Sequence, residues 1–152
     1  MDRLQAAVAV ALATLALGAC SDRDRIEGDW YSNDFRNMKP CTDELSFDAG
    51  QIVTTLTCRL SEGSYGQQVV VGQYTRQDSQ VFVYPNSSSC PKASKDTMTW
   101  GVAIEKNQMD RTIGIETTRY QRGKADIAGI RVTGCFDAEL KNFDEGPIVP
   151  LP

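Results

Sequence analysis

Cys41-Thr-Asp-Glu-Leu-Ser-Phe-Asp-Ala-Gly-Gln-Ile-Val-Thr-Thr-Leu-Thr-Cys58 reads as a β-hairpin whose register follows from counting. Apolar and polar residues alternate on both sides of Ala49-Gly50, as strands with one buried face require. With Ala49-Gly50 as a two-residue turn, Asp48 faces Gln51, Phe47 faces Ile52, Leu45 faces Thr54, and Cys41 comes directly opposite Cys58. Alternation from such a turn makes the cysteine pair a non-hydrogen-bonded one, where facing Cα atoms lie closest and a disulfide fits. The stretch therefore predicts a Cys41–Cys58 disulfide and, by elimination, Cys90–Cys135.

Outward from this hairpin the same short-period pattern continues, bounded by Gly, Asn, Asp and Ser, and no 3.6-residue stripe interrupts it. It predicts eight strands, near 26–32, 44–48, 51–60, 66–76, 80–85, 97–106, 111–120 and 127–137. Loops 33–43 and 86–96 each carry a cysteine and a proline, and the tail from Lys141, with Pro147, Pro150 and Pro152, reads as extended. A second hairpin, turning at Gln108-Met109, is expected to pair Ile104 with Ile113, Val102 with Ile115 and Trp100 with Thr117. Eight antiparallel strands with short links close into an up-and-down barrel, because closure removes the exposed edges.

Composition sets the compartment and excludes some functions. Sixteen basic residues against twenty acidic ones leave a net charge of −4, whereas a nucleic-acid binder would show a basic face. Residues Leu4 to Leu17 form a predominantly apolar, uncharged run behind Arg3, too short to span a bilayer and closed by small residues, as in a cleavable export signal. With Cys20 set aside, four cysteines remain, an even number that suits disulfides in an oxidising compartment. A zinc site is the competing reading, weakened because no two cysteines are close in sequence and the chain contains no histidine.

Leu17-Gly18-Ala19-Cys20 resembles the lipobox of bacterial lipoproteins. That resemblance implies cleavage after Ala19, diacylglycerol on Cys20, and a membrane held through the N-terminal lipid. Ser21 after the cysteine implies, by enteric-type sorting, an outer-membrane address facing the periplasm of a Gram-negative cell. Gly28-Asp29-Trp30 resembles the Gly-x-Trp opening of lipocalins and avidin-like barrels, in which the glycine permits close approach and the tryptophan plugs one end. The chain has no Thr-Asp-Tyr signature, and no arginine follows the expected last strand, 127–137, to stack on Trp30. The predicted organisation is a signal peptide over 1–19, a lipid-anchored spacer over 20–25, an all-β, eight-stranded antiparallel lipocalin-like barrel over 26–140, and a tail over 141–152.

Catalysis has little support in these residues. Without histidine there is no Ser-His-Asp or Cys-His arrangement and no imidazole metal ligand. Most carboxylates, such as Asp48, Asp78, Asp110 and Asp144, fall in turns or termini, and Glu105 and Glu116 on outward strand sites, where solvation accounts for them. No enzyme, cofactor or metal is expected. Binding has two candidate locations. Inward residues including Trp30, Leu45, Phe47, Ile52, Leu56, Trp100, Val102, Ile104, Ile113, Ile115, Ile130, Val132 and Phe136 would either fill the barrel or line a small apolar pocket, with Phe47 and Trp100 as its marker residues. The strand pair around Gln77–Gln80 is apolar on both faces, with Val70, Tyr74, Val81 and Val83 on one and Val69, Val71, Phe82 and Tyr84 on the other. Only one face can be core, so Phe82 and Tyr84 are candidate interface residues for an envelope protein partner. In size, anchor and expected fold the chain is similar to small barrel lipoproteins that inhibit lysozymes. Ser61-Glu62-Gly63-Ser64-Tyr65 lacks their Ser-Gly-x-Gly-x-Tyr loop, so no inhibitory residue carries over. The expected function is a lipid-anchored periplasmic binding or inhibitor-type domain acting on a macromolecule, the alternative being a lipocalin-like carrier of a small apolar ligand.

Overall fold

The computed structural model describes residues 25–36 and 39–152. It is all-β, with strands β1 (Gly28–Arg36), β2 (Lys39–Asp48), β3 (Gln51–Ser61), β4 (Ser64–Gln77), β5 (Gln80–Ser88), β6 (Met98–Glu105), β7 (Gln108–Ile113), β8 (Glu116–Arg122), β9 (Ile130–Phe136) and β10 (Phe143–Glu145). Strands β1 to β8 pair antiparallel with their neighbours in turn, and β8 returns to β1 through Trp30↔Arg122 and Tyr31↔Gln121, closing an eight-stranded up-and-down barrel. The β2–β3 register matches the counted one, Cys41↔Cys58 and Phe47↔Ile52 included. Its turn residues Ala49 (φ 47°) and Gly50 (φ 83°) both take positive φ, the geometry whose twist suits a two-residue hairpin.

Two expectations about the second half are corrected. The expected strand 111–120 is two strands, broken at Gly114 (φ 60°), and the β6–β7 turn lies at Lys106-Asn107 rather than Gln108-Met109. Ile104 consequently faces Met109, and Val102 faces Arg111. Ile113 and Ile115, expected inside, are 45% and 100% exposed. The expected strand 127–137 does not complete the barrel either. As β9 it runs parallel to the first residues of β4, from Ser64↔Ile130 to Gln67↔Thr133, and Ile130 is 71% exposed.

The 14-residue β4 explains this arrangement. Its second half pairs with β5, its first half with β9, and Ser89 sits at the fork. There the Ser89 hydroxyl accepts from the Val69 N–H at 2.9 Å and donates to the Gly134 carbonyl at 2.5 Å, satisfying two backbone groups that neither ladder reaches. Cys90–Cys135 (Cα–Cα 4.8 Å) locks the next residue to β9, and Cys41–Cys58 (Cα–Cα 4.1 Å) joins β2 to β3.

Two cores result. The main one is built on inward residues of the barrel, among them Trp30, Leu45, Phe47, Ile52, Val81, Trp100, Met109 and Tyr120, all at 2% exposure or less. A smaller one packs Cys41, Cys58 and Leu56 beneath Phe136, Leu140 and Phe143. Gly66 is required there: a Cβ would lie 2.7 Å from the Phe143 ring and 2.8 Å from Phe136. The tail is part of the fold, since β10 pairs with β9 and Val149 is 8% exposed.

Candidate functional site

Strand directions give the barrel two unlike ends. At one end lie the turns at 49–50, 78–79 and 106–107, and the chain arrives there through Ile26 and Gly28. Trp30 closes this end, its Nε1–H donating to the Ile26 carbonyl at 2.8 Å. Arg122, the last residue of β8, lies over the Trp30 ring at 4.1 Å and donates to the carbonyls of Glu27 (2.9 Å) and Arg25 (2.7 Å). Gly28 (φ 113°) permits this approach, because a Cβ would stand 3.1 Å from Arg122 Nη1. The expectation that no arginine stacks on Trp30 is therefore corrected; the misplaced final strand had put the end of the barrel fifteen residues too late. Nearby, Tyr74 donates to Glu27, and its burial together with that carboxylate pushes the phenol pKa above its usual value.

The other end carries the loops at 62–63, 89–97 and 114–115. Here large apolar side chains are left in solvent: Leu60 at 39%, Ile113 at 45%, Ile115 at 100% and Ile130 at 71%. Ile115 contributes nothing to packing and sits on a tight turn that a polar residue would fill as well.

Between the ends, the barrel interior holds charge. Arg111 is 9% exposed and Asp43 8%, with Nη2 to Oδ2 at 3.6 Å. The guanidinium is sandwiched at 5.0 Å from the ring centroids of both Trp100 and Tyr120, and the Tyr120 hydroxyl reaches Asp43 at 3.4 Å. Arg111 Nε and Trp100 Nε1 are buried and meet no hydrogen-bond partner among the described residues.

The residues singled out from sequence distribute as follows. Val81 and Val83 are core at 0% and 1%, so Phe82 and Tyr84 point outward, Phe82 half-buried and Tyr84 41% exposed. The neighbouring outward residue Val69 is covered at 8% exposure, and the tip of the tail, Leu151 and Pro152, borders one groove with Val53 and Thr55. Phe47 and Trp100 belong to the main core, Phe47 packing edge-on against Tyr74 at 5.0 Å. All four paired cysteines are placed, whereas Cys20 lies outside the described residues. Nothing in the local sequence pattern singles out Arg111 or Asp43. The inward placement of Arg111 follows from alternation once the turn is put at Lys106-Asn107, where Met109 and Arg111 fall on the face of Tyr120, and that of Asp43 from the face of β2 it shares with Leu45 and Phe47.

No family model, no curated protein and no solved structure matches this chain.

Proposed function

We propose that this chain is a lipoprotein of the bacterial envelope, anchored through diacylglycerol on Cys20, whose barrel binds a macromolecular partner through the rim at its loop end. The observation that carries the reading is the exposure of Ile113 and Ile115 on a turn opposite the end where the chain arrives. Four residues lie between Cys20 and Arg25, a reach of at most about 18 Å, so a lipid there would hold the Trp30–Arg122 end toward the bilayer. The loop end would then face away from it, toward the periplasm in an outer-membrane setting. Two disulfides are compatible with an extracytoplasmic protein. Apolar side chains held rigidly on a tight turn lose little entropy on docking, which suits them as anchors.

The test is photocrosslinking in intact cells from residue 115, compared with residue 82 on the β5 face. A discrete adduct from 115 that disappears with Ile113→Ser is the expected result. An adduct from residue 82 alone would move the interface to Phe82 and Tyr84, and no adduct from either would defeat the partner reading. Cys20→Ala should abolish lipid labelling, and continued membrane association of that variant would defeat the anchor.

The alternative, a lipocalin-like carrier, draws support from the Trp30–Arg122 closure of one barrel end. Phe47 and Trp100, buried in packing contacts, do not support a wide apolar cavity between them.

A further inference from the structure

We infer that the outer face of β4, β5 and β6 is a binding platform for a neutral, β-linked sugar chain. This face is separate from the rim at Ile113 and Ile115, which flanks the β7–β8 turn.

Val81 and Val83 fill the core, so the alternate residues of β5 and the residues they face project outward. Register sets them in rows across the strands: Gln51, Gln73 and Tyr84 in one, Thr75, Phe82 and Thr99 in the next. Gln77 facing Gln80 begins a third. None of these side chains is charged, in a chain where 24% of residues are. Charge returns at the borders, with Asp48 opposite Gln51 on β2, Glu105 at the end of β6, and Asp110 on β7 in a pair with Arg119. Arg76 belongs to the opposite face by alternation, and its Nε donates to the Asp78 carbonyl at 2.9 Å.

An uncharged face selects an uncharged partner, because an ion laid on it loses water without gaining a counter-charge. The aromatics here are interleaved with amides and hydroxyls. Tyr84 stands beside Gln73, and Phe82 lies between Thr75 and Thr99, so the face lacks the continuous apolar centre on which a protein interface is built. A sugar ring has the matching composition, an apolar C–H face edged by hydroxyls that donate and accept. Tyr84 is 41% exposed, and its hydroxyl stands 3.5 Å from Thr75 Oγ1, so the ring lies along the sheet and offers a flat surface for stacking. The exposed amides of Gln51, Gln73, Gln77 and Gln80 make no side-chain hydrogen bond among the described residues, and each supplies donors and an acceptor to adjacent hydroxyls. Phe82 and Tyr84 are two residues apart on one strand, roughly 7 Å, and a straight, ribbon-like β-linked chain can meet both where a coiled α-linked chain turns away.

Titrating the 15N-labelled full-length chain with cellohexaose should shift the backbone amides of Gln73, Thr75, Phe82 and Tyr84 saturably and leave those of Ile113 and Ile115 in place. A β-1,4-linked mannuronate hexamer, with a carboxylate on every ring, should bind at least tenfold more weakly, and so should maltohexaose, which is α-linked. Tyr84→Ala and Gln73→Glu should each weaken cellohexaose tenfold or more, while Ile115→Ser should bind it like the wild type. Should either of the first two variants fail to fold, the wild-type shifts decide alone. Resonances of the β4–β5 face unmoved by cellohexaose would overturn the inference, and a protein adduct from residue 82 in cells alongside that result would give the face to a protein partner. Mannuronate binding as tightly as cellohexaose would overturn the uncharged assignment, and maltohexaose doing so would overturn the linkage.

Discussion

Replacing Arg122 with Met leaves an apolar stem over Trp30 but removes the guanidinium, which isolates the three interactions that close this end of the barrel. The cation–π contact at 4.1 Å, on a half-buried arginine, contributes about 0.5–2 kcal/mol. The hydrogen bonds to the Glu27 and Arg25 carbonyls contribute about 0.5–1.5 kcal/mol each, the low range applying because water can replace the donor at this edge. Together the loss is about 1.5–5 kcal/mol, which for a domain of this size lowers Tm by roughly 6–20 °C. Urea unfolding followed by far-UV circular dichroism should show a lower midpoint with an unchanged slope, as for a loss of stability without a change in compactness. Arg122→Lys, which keeps the charge but not the fork, should fall between Met and wild type. A Met variant within about 0.5 kcal/mol of wild type would show that the N-terminal segment closes the barrel by packing alone, and the reasoning would fail.

Breaking the first disulfide with Cys41→Ala and Cys58→Ala frees a loop of 17 residues and should cost about 3 kcal/mol in urea unfolding, while non-reducing peptide mapping of the wild type recovers only the 41–58 and 90–135 pairs. Phe82→Ser with Tyr84→Ser should cost only about 1–3 kcal/mol in total, because Val81 and Val83 hold the core side of β5; a lost cooperative transition would show the aromatics to be core. Asp137 accepts hydrogen bonds from the Lys141 and Asn142 amides, which lower its carboxyl pKa. Its folded pKa thus lies below the unfolded value of about 3.9, so the 137–142 turn is held above that pH and loosens as pH falls through the folded pKa. The Lys141 amide resonance should report a midpoint below about 3.9, and Asp137→Asn should abolish it.

The candidate rim was partly legible before the fold was known. Ile113 and Ile115 stand out as apolar residues, but alternation assigned them inward, because a strand reading gives every apolar residue of one parity to the core. Gly114 was the signal for a turn, and it was outweighed by the run of β-formers around it. Arg111 was invisible for the opposite reason: a charged residue in a strand reads as outward unless its partners are known, and its partners, Asp43, Trp100 and Tyr120, come from three other strands.

What the sequence determined by itself is local. Alternation without a helical period settled the all-β class, and a two-residue turn of known geometry settled the β2–β3 register and with it the Cys41–Cys58 pair, since within one hairpin each partner follows from counting. Tertiary structure alone decided which strand closes the barrel, where β4 passes from β5 to β9, and that Arg122 rather than a later residue covers Trp30. These depend on pairings between strands far apart in the chain. Their energies are set by which surfaces can be buried together, and no local pattern of residues carries that information.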